Sequence, residues 1–254
     1  METVDIQGAI HRAGDGDRVL IGTGTYRELL TIDKNLILRG EGANKVRLLA
    51  KQHYSPTLQI GPSPVHVRLR NLSIGDSNDY RTSTVMVTGK AKLTVNNCRI
   101  EAYDWCVAQS GRSTSYLIRT RLRGGNYGLV LLDQSQSLVS SCTLSGYGEG
   151  TGLALYGSSK ARMDGCKVQR FRDGVLVWDR SRAHLHNNRL LDLTRYGILC
   201  QLPALTFRRK LISKINRFEG IGEGEIKWFY SPFTRRIQAS WEDLKRAMYH
   251  LGLG

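Results

Sequence analysis

Apolar and polar residues alternate along most of the chain in short runs that return every 22 to 24 residues. Counted from the first residue of a repeat unit, positions one and three are apolar in most units: Val85/Val87, Leu129/Leu131, Leu153/Leu155, Val175/Val177 and Ile198/Cys200. Alternation with a period of two is typical of a β-strand. Further apolar residues at positions eleven and sixteen predict two or three short strands in each unit, joined by turns rich in Gly, Asn, Asp and Ser.

The units begin at residues 84, 106, 128, 152, 174 and 197, and two looser copies precede them. Repeats of this length indicate a solenoid, and the spacing leaves no room for a helix of ten residues. We therefore predict an all-β chain, a single-stranded right-handed parallel β-helix of about eight coils, in which equivalent residues stack about 4.8 Å apart.

Position fourteen is predicted to point into the coil. It holds Leu36, Leu72, Cys98, Thr120, Cys142, Cys166, Asn188 and Leu211. We interpret the cysteines as small buried hydrophobic residues, with a metal or redox role as the alternative, and Asn188 as a buried amide bonded along the stack. Five cysteines without a CxxC pair argue against a disulfide framework and a zinc site, so no metal and no cofactor are predicted.

Both ends of the chain are predicted to be caps. We divide the sequence into an N-terminal cap (1–14), a β-helix (15–220) and a C-terminal capping segment with a helix (221–254). The first helix takes Thr3 or Asp5 as its N-cap, and the second lies in "SWEDLKRAMYHLG" and covers the last coil or, alternatively, docks on a partner chain. With no leader-like segment and no long apolar run, we expect an intracellular, cytoplasmic protein in a reducing compartment.

The segment "GTGTYRELLTIDKNLILRGEG", residues 22–42, and the later units of the type "YGLVL…SSCTLSG" carry a family resemblance. They resemble the pectin-lyase-like β-helix proteins, with the "GxYxE" opening that is common in pectin methylesterases and in carbohydrate-binding and sugar-hydrolase repeats. The resemblance implies the coil and, through the family's enzymes, action on polysaccharides. Their catalytic signatures, such as "QDTL" and "DFIFG", are absent from this chain.

The net charge is +15, from 37 Lys and Arg against 22 Asp and Glu, which favours a polyanion as partner. Position fifteen, predicted to face outward, holds Arg99, Arg121, Thr143, Lys167 and Arg189. Stacked cations repel one another unless a ligand or acidic neighbours offset them. We therefore predict that this stripe, with the nearby Arg119 and Arg123, binds an acidic polymer, and the alternative is a solvated face that keeps the protein soluble.

A second outward set of residues is apolar and includes Tyr156 and Trp178. We expect the C-terminal segment with Trp228, Phe229 and Tyr230 to fold back over it. The alternative is an exposed Tyr156/Trp178 platform that binds sugar rings or a partner.

A candidate catalytic site lies on a single outer face. Adjacent coils would bring Arg162 beside His184 and Asp164 beside His186. A carboxylate can orient an imidazole base, and an arginine can neutralise a substrate carboxylate, as in a lyase or hydrolase.

Two hypotheses of different class follow from the sequence. The first is a non-catalytic binding or scaffold protein that recognises an acidic polysaccharide or an acidic protein surface, as one component of a larger assembly. The second is a polysaccharide lyase or hydrolase of the pectin-lyase-like type. Nucleic acid is a third, weaker candidate partner, because the charge permits it while no recognition motif supports it.

Overall fold

A computed structural model of the protein describes residues 5–51, 55–75, 83–201 and 216–229. This part of the chain forms one α-helix, α1 (Ile6–Arg12), and three parallel β-sheets whose strands are numbered along the chain. Each coil contributes one strand to each sheet, so the fold is a parallel β-solenoid of about eight turns, as the periodicity predicts. Within the described ranges no helix is long and apolar enough to cross a membrane.

The strands of the described residues form three sets, one for each sheet. The first sheet contains β1 (Arg18–Ile21), β4 (Leu36–Gly40), β7 (His66–Arg70), β10 (Lys92–Asn96), β13 (Thr114–Ile118), β16 (Gln136–Ser140), β19 (Lys160–Asp164) and β22 (Arg182–His186). The second contains β2 (Gly24–Arg27), β5 (Val46–Leu49), β8 (Ser73–Gly75), β11 (Arg99–Ala102), β14 (Arg121–Gly124), β17 (Thr143–Ser145), β20 (Lys167–Gln169), β23 (Arg189–Leu193) and β25 (Arg217–Ile221). The third contains β3 (Leu30–Ile32), β6 (Leu58–Ile60), β9 (Ser83–Val87), β12 (Trp105–Gln109), β15 (Tyr127–Leu131), β18 (Thr151–Leu155), β21 (Asp173–Val177), β24 (Tyr196–Gln201) and β26 (Gly224–Phe229).

The helix α1 packs on the first coil. Asp5 is its N-cap and accepts a hydrogen bond from the Gly8 N–H at 2.8 Å, which confirms one of the two predicted caps. Ile6 and Ile10 are buried against the core. Glu28, the acidic residue of the "GxYxE" segment, accepts the N–H groups of Ile6 and Gln7 at 3.0 and 2.8 Å, so this segment fastens the cap to the coil.

A ladder of hydrogen bonds runs up the inside of the coil at position fourteen. The Thr120 N–H donates to Cys142 Sγ and the Cys142 N–H to Cys166 Sγ, both at 3.4 Å. The Cys166 N–H donates to Asn188 Oδ1 at 2.9 Å, and the Asn188 N–H to Asn216 Oδ1 at 3.0 Å. The predicted amide ladder at Asn188 is therefore confirmed, and the two sulfurs serve as acceptors as well as packing atoms.

The structure corrects two details of the predicted column. Leu36 lies in the first sheet opposite Val67, and Val46 takes the inner position that precedes the outward column. Leu211 lies outside the described residues, and Asn216 is the residue that stands next to Asn188. Irregular spacing in the first and last coils causes both differences.

The predicted end of the β-helix at residue 220 is also corrected. Strand β26 pairs with β24 through Gly224 to Phe229, so the third sheet continues beyond that boundary. The backbone of Trp228 and Phe229 thus belongs to the sheet that these residues were expected to cover. Tyr230 and the predicted C-terminal helix lie outside the described residues.

We expect Asn188→Ala to lower the free energy of unfolding by about 1–3 kcal/mol, because it leaves the buried N–H of Cys166 and carbonyl of Met163 without their side-chain partner. Asn96→Ala is the matched control, since Asn96 lies on the outer face of β10 and is partly exposed. Urea unfolding of the two variants tests this. Equal losses would show that the ladder adds nothing.

All five cysteines are buried, and burial raises the pKa of Cys98 to about 11 and that of Cys200 to about 12. Thiolate, the reactive form, is then scarce at pH 8 at Cys98 and Cys200, and burial limits the access of a reagent to all five thiols. We expect iodoacetamide to label the folded protein slowly at pH 8 and all five thiols rapidly in denaturant, as followed by mass spectrometry. Rapid labelling of the native protein would contradict the interpretation of the thiols as packed core groups.

Candidate functional site

The predicted stripe of cations follows one outer column of the second sheet. The strand register stacks Arg47, Ser73, Arg99, Arg121, Thr143, Lys167, Arg189 and Arg217 in successive coils. Adjacent members stand about 4.8 Å apart along the solenoid. Arg189 is partly compensated, because its Nη2 lies 3.6 Å from Glu219 Oε1. The stacking is as predicted, and binding of a ligand there stays a prediction.

The next outer column, two residues further along the same strands, mixes charges. Glu101 lies in register with Arg123, so a carboxylate and a guanidinium stand side by side on β11 and β14. The Arg123 Cζ lies 5.1 Å from the centre of the Tyr147 ring. Arg123, predicted as part of the stripe, therefore lies beside an exposed aromatic ring.

A groove of about 590 Å³ opens beside this second column. It crosses the turns that lead from the second sheet to the third, and it is lined by Arg47, Gly75, Glu101, Ala102, Tyr103, Gly125, Asn126, Tyr147 and Glu149. Tyr103 and Tyr147 are 50% and 60% exposed. The groove thus brings together two carboxylates, one guanidinium, one amide and two accessible aromatic rings.

The backbone of the turns fixes the shape of this groove. Gly125 lies so close to the preceding coil that a Cβ there would stand 2.2 Å from the Tyr103 carbonyl oxygen. The buried Asp104 accepts a hydrogen bond from Asn126 Nδ2 at 2.6 Å, which holds that amide in place. The groove therefore rests on rigid coils, which suits a preformed binding site.

This groove was not predicted from the sequence. Its aromatic residues come from turns rather than from the alternating strands, and its two carboxylates lie 48 positions apart in the chain. One signal was available, because Tyr103, Gly125 and Tyr147 share the same position, nineteen residues after the starts of consecutive units. In this column a glycine lies between two tyrosines, and this pattern corresponds to the groove.

The four predicted catalytic residues lie together on the outer face of the first sheet. Arg162 is in register with His184, and Asp164 with His186, as the spacing predicts. His186 Nδ1 lies 3.0 Å from Asp164 Oδ1, and both side chains are about half exposed. These four residues do not line the groove, and their catalytic role stays a prediction.

The predicted aromatic platform is not open in the structure. Tyr156 and Trp178 are 5% and 9% exposed and belong to a buried apolar cluster on the third sheet. This cluster also contains Trp105, Val130 and Leu132. A sugar ring cannot stack on side chains that are covered in this way, so the structure does not support the alternative of an exposed Tyr156/Trp178 platform.

Solved structures with the same fold include pectin methylesterases. The enzyme from carrot has a TM-score of 0.59 and 12% identity over 93% of this chain and 86% of its own, and the enzyme from Yersinia enterocolitica has 0.59 and 13% over 91% and 92%. The ORF18 protein of Geobacillus virus E2 has a TM-score of 0.55 and 14% identity over 90% of this chain and 58% of its own. At these identities the likeness shows the fold alone.

No curated protein matches the chain in sequence. The family model described as "Right handed beta helix region" matches residues 83–224, more than half of the chain. The match covers the regular coils, whose repeat units begin at residues 84 to 197. The protein therefore belongs to the right-handed β-helix family.

Proposed function

We propose that the protein is an enzyme that binds an acidic polysaccharide in the groove and cleaves its glycosidic bonds. The observation that carries the proposal is the presence of two carboxylates, Glu101 and Glu149, in one groove with two exposed tyrosines. Glycosidic bond hydrolysis commonly uses a pair of carboxylates, one as general acid and one as base or nucleophile. The fold also carries pectin methylesterases, which favours a polysaccharide as substrate.

The charges around the groove suit an acidic chain. Arg47 lines the groove, and Arg99 and Arg121 stand in the same outer column of the second sheet. Arginine forks bind carboxylate, sulfate and phosphate groups through paired hydrogen bonds. Tyr103 and Tyr147 offer flat apolar faces with a polar tip, which pack against sugar rings.

Binding without cleavage is a second candidate function, and the stacked cations favour it. Outside the Arg189–Glu219 contact, the described residues give no cation of this column an ion pair with a carboxylate. A column of this kind can hold a polyanion with no chemistry at all. Such binding would weaken steeply with salt, because the cations release the polymer's counterions.

We expect Glu101→Gln and Glu149→Gln each to lower the rate of polysaccharide cleavage by about 10²–10⁴-fold while binding persists, because the amide keeps the shape and loses the proton transfer. The measurement is the release of reducing ends from polygalacturonate, alginate and a sulfated glycan. Glu225→Gln removes an exposed carboxylate of β26 and is the control.

Two results would contradict this assignment. Full activity in both groove variants, together with loss in His186→Ala, would move the site to the first sheet. A wild-type protein that binds one of these polymers but cleaves none would favour the second candidate.

We expect Tyr103→Ala and Tyr147→Ala each to weaken binding of the polysaccharide by about threefold to tenfold, through loss of ring contacts. Tyr116→Ala is the control, because Tyr116 lies on the first sheet beside Lys92. Titration calorimetry at constant salt measures the three affinities. An equal loss in the control would show that the groove is not the binding site.

A further inference from the structure

A second cavity, the basic recess, lies at the opposite end of the strands that border the groove. It has a volume of about 360 Å³ and is lined by Lys45, Asn97, Arg99, Arg119 and Arg121, together with Cys98 and the backbone turn at 42–44. Arg99 and Arg121 belong to the outer column, and Arg119 comes from the turn before β14. The recess thus gathers four cationic side chains.

The charge in the basic recess is largely uncompensated. Among the described residues that line it there is no carboxylate, and no ion pair within the described ranges involves Arg99, Arg119 or Arg121. Lys45 interacts electrostatically with Glu41, whose carboxylate also accepts a hydrogen bond from Thr23 at 2.6 Å. Like charges at neighbouring positions of a sheet cost stability unless something offsets them. The arrangement therefore favours a bound anion.

Arg119 occupies a turn position that holds other residue types in the neighbouring coils. Its φ is 47°, in the left-handed region, where the equivalent turn residues are Asn71, Asn97, Ser141, Gly165 and Asn187. A long side chain gains nothing from this conformation, which asparagine and glycine adopt most readily. Asn97 also bonds Asn71 along the stack, with Nδ2 2.8 Å from Oδ1, and arginine cannot continue that ladder in the same way. The guanidinium of Arg119 is what this position contributes to the recess.

We propose that the basic recess binds a tetrahedral oxyanion, a sulfate or phosphate ester carried by the polysaccharide in the groove. Three guanidinium groups and one ammonium group around one cavity match the three terminal oxygens of such an ester better than the two oxygens of a carboxylate. This proposal rests on the proposed function, because it names the class of substrate that the groove receives.

The two cavities are connected by the strands themselves. Arg99 borders the recess and Glu101 borders the groove, two residues apart on the same face of β11, which corresponds to about 6.6 Å. Lys45 and Arg47 stand in the same relation at the start of β5. A polymer that uses both cavities therefore lies parallel to the strands and perpendicular to the solenoid axis, with the esterified sugar in the recess and a neighbouring sugar on the tyrosines.

The test compares dextran sulfate, dextran phosphate, polygalacturonate and neutral dextran in titration calorimetry at one ionic strength. The main variant is Arg119→Asn, which restores the residue type found at this turn in other coils and should keep or raise the free energy of unfolding. Lys167→Gln is the matched control, because it removes one charge from the outer column away from the recess.

We expect Arg119→Asn to weaken binding of dextran sulfate or dextran phosphate by at least about tenfold and Lys167→Gln by much less. Of the two esters, the one that binds more tightly identifies the substituent. Equal losses in the two variants, or polygalacturonate bound as tightly as either ester, would overturn the proposal.

This titration, together with the reducing-end assay, separates this proposal from the proposed function. A protein that prefers one ester through Arg119 but cleaves no polysaccharide would support ester binding in the basic recess and contradict the proposed enzymatic function. A protein that cleaves through Glu101 and Glu149 but shows no preference for either ester would support the proposed enzymatic function and contradict ester binding in the basic recess.

Discussion

The structure depends on one constraint, the repeated turn that carries the chain from the first sheet to the second. In coil after coil this turn uses a residue with a left-handed backbone, such as Asn97, Ser141 or Asn187, and the next residue points inward. Its N–H must find a partner in the core, and a side chain of the following coil supplies it, a sulfur in Cys142 and Cys166 and an amide oxygen in Asn188. Because this partner comes from the next coil, the turn fixes the register of neighbouring coils. A shift by one residue would break the ladder and reverse every side chain of the following strand.

A fixed register has a consequence for the outer surface, because it also stacks charges. Once Cys98 and Thr120 point inward, Arg99 and Arg121 must stand side by side on the outside, whatever the repulsion between them. The coil tolerates this cost because its core is continuous, with leucine, isoleucine and valine buried along the stack. The surface of such a coil can therefore carry uncompensated charge, and in the second sheet cationic side chains are gathered around Arg119.

The sequence predicted the coil, the inward ladder and the stacked cations because each depends on a strict spacing that the chain repeats. Positions in irregular coils were placed less well: Leu36 was assigned to the wrong sheet, and the boundary at residue 220 came before β25 and β26 had ended. The groove escaped prediction for a related physical reason. Tyr103, Asn126 and Glu149 lie in turns, where the alternating pattern gives no information, and their proximity arises only from the stacking of three coils. Burial of Tyr156 and Trp178 likewise depends on packing that periodicity does not describe.

The groove and the basic recess lie on the same strands, and this arrangement can select one linkage of a bound polymer. The backbone positions of Arg99 and Glu101, two residues apart on β11, are held at a constant spacing, because an extended strand has a fixed rise per residue. Recognition of an ester group at Arg99 would then set the position of the neighbouring sugar against Glu101 without any movement of the protein. Effective positioning of this kind favours a reaction at one linkage over its neighbours along the same polymer. A polymer lying along the solenoid axis would instead meet the repeating column of cations and could slide from coil to coil. Arg119 and the turn at 42–44 both line the recess at one end of these strands, and this favours a fixed position of the polymer, parallel to the strands.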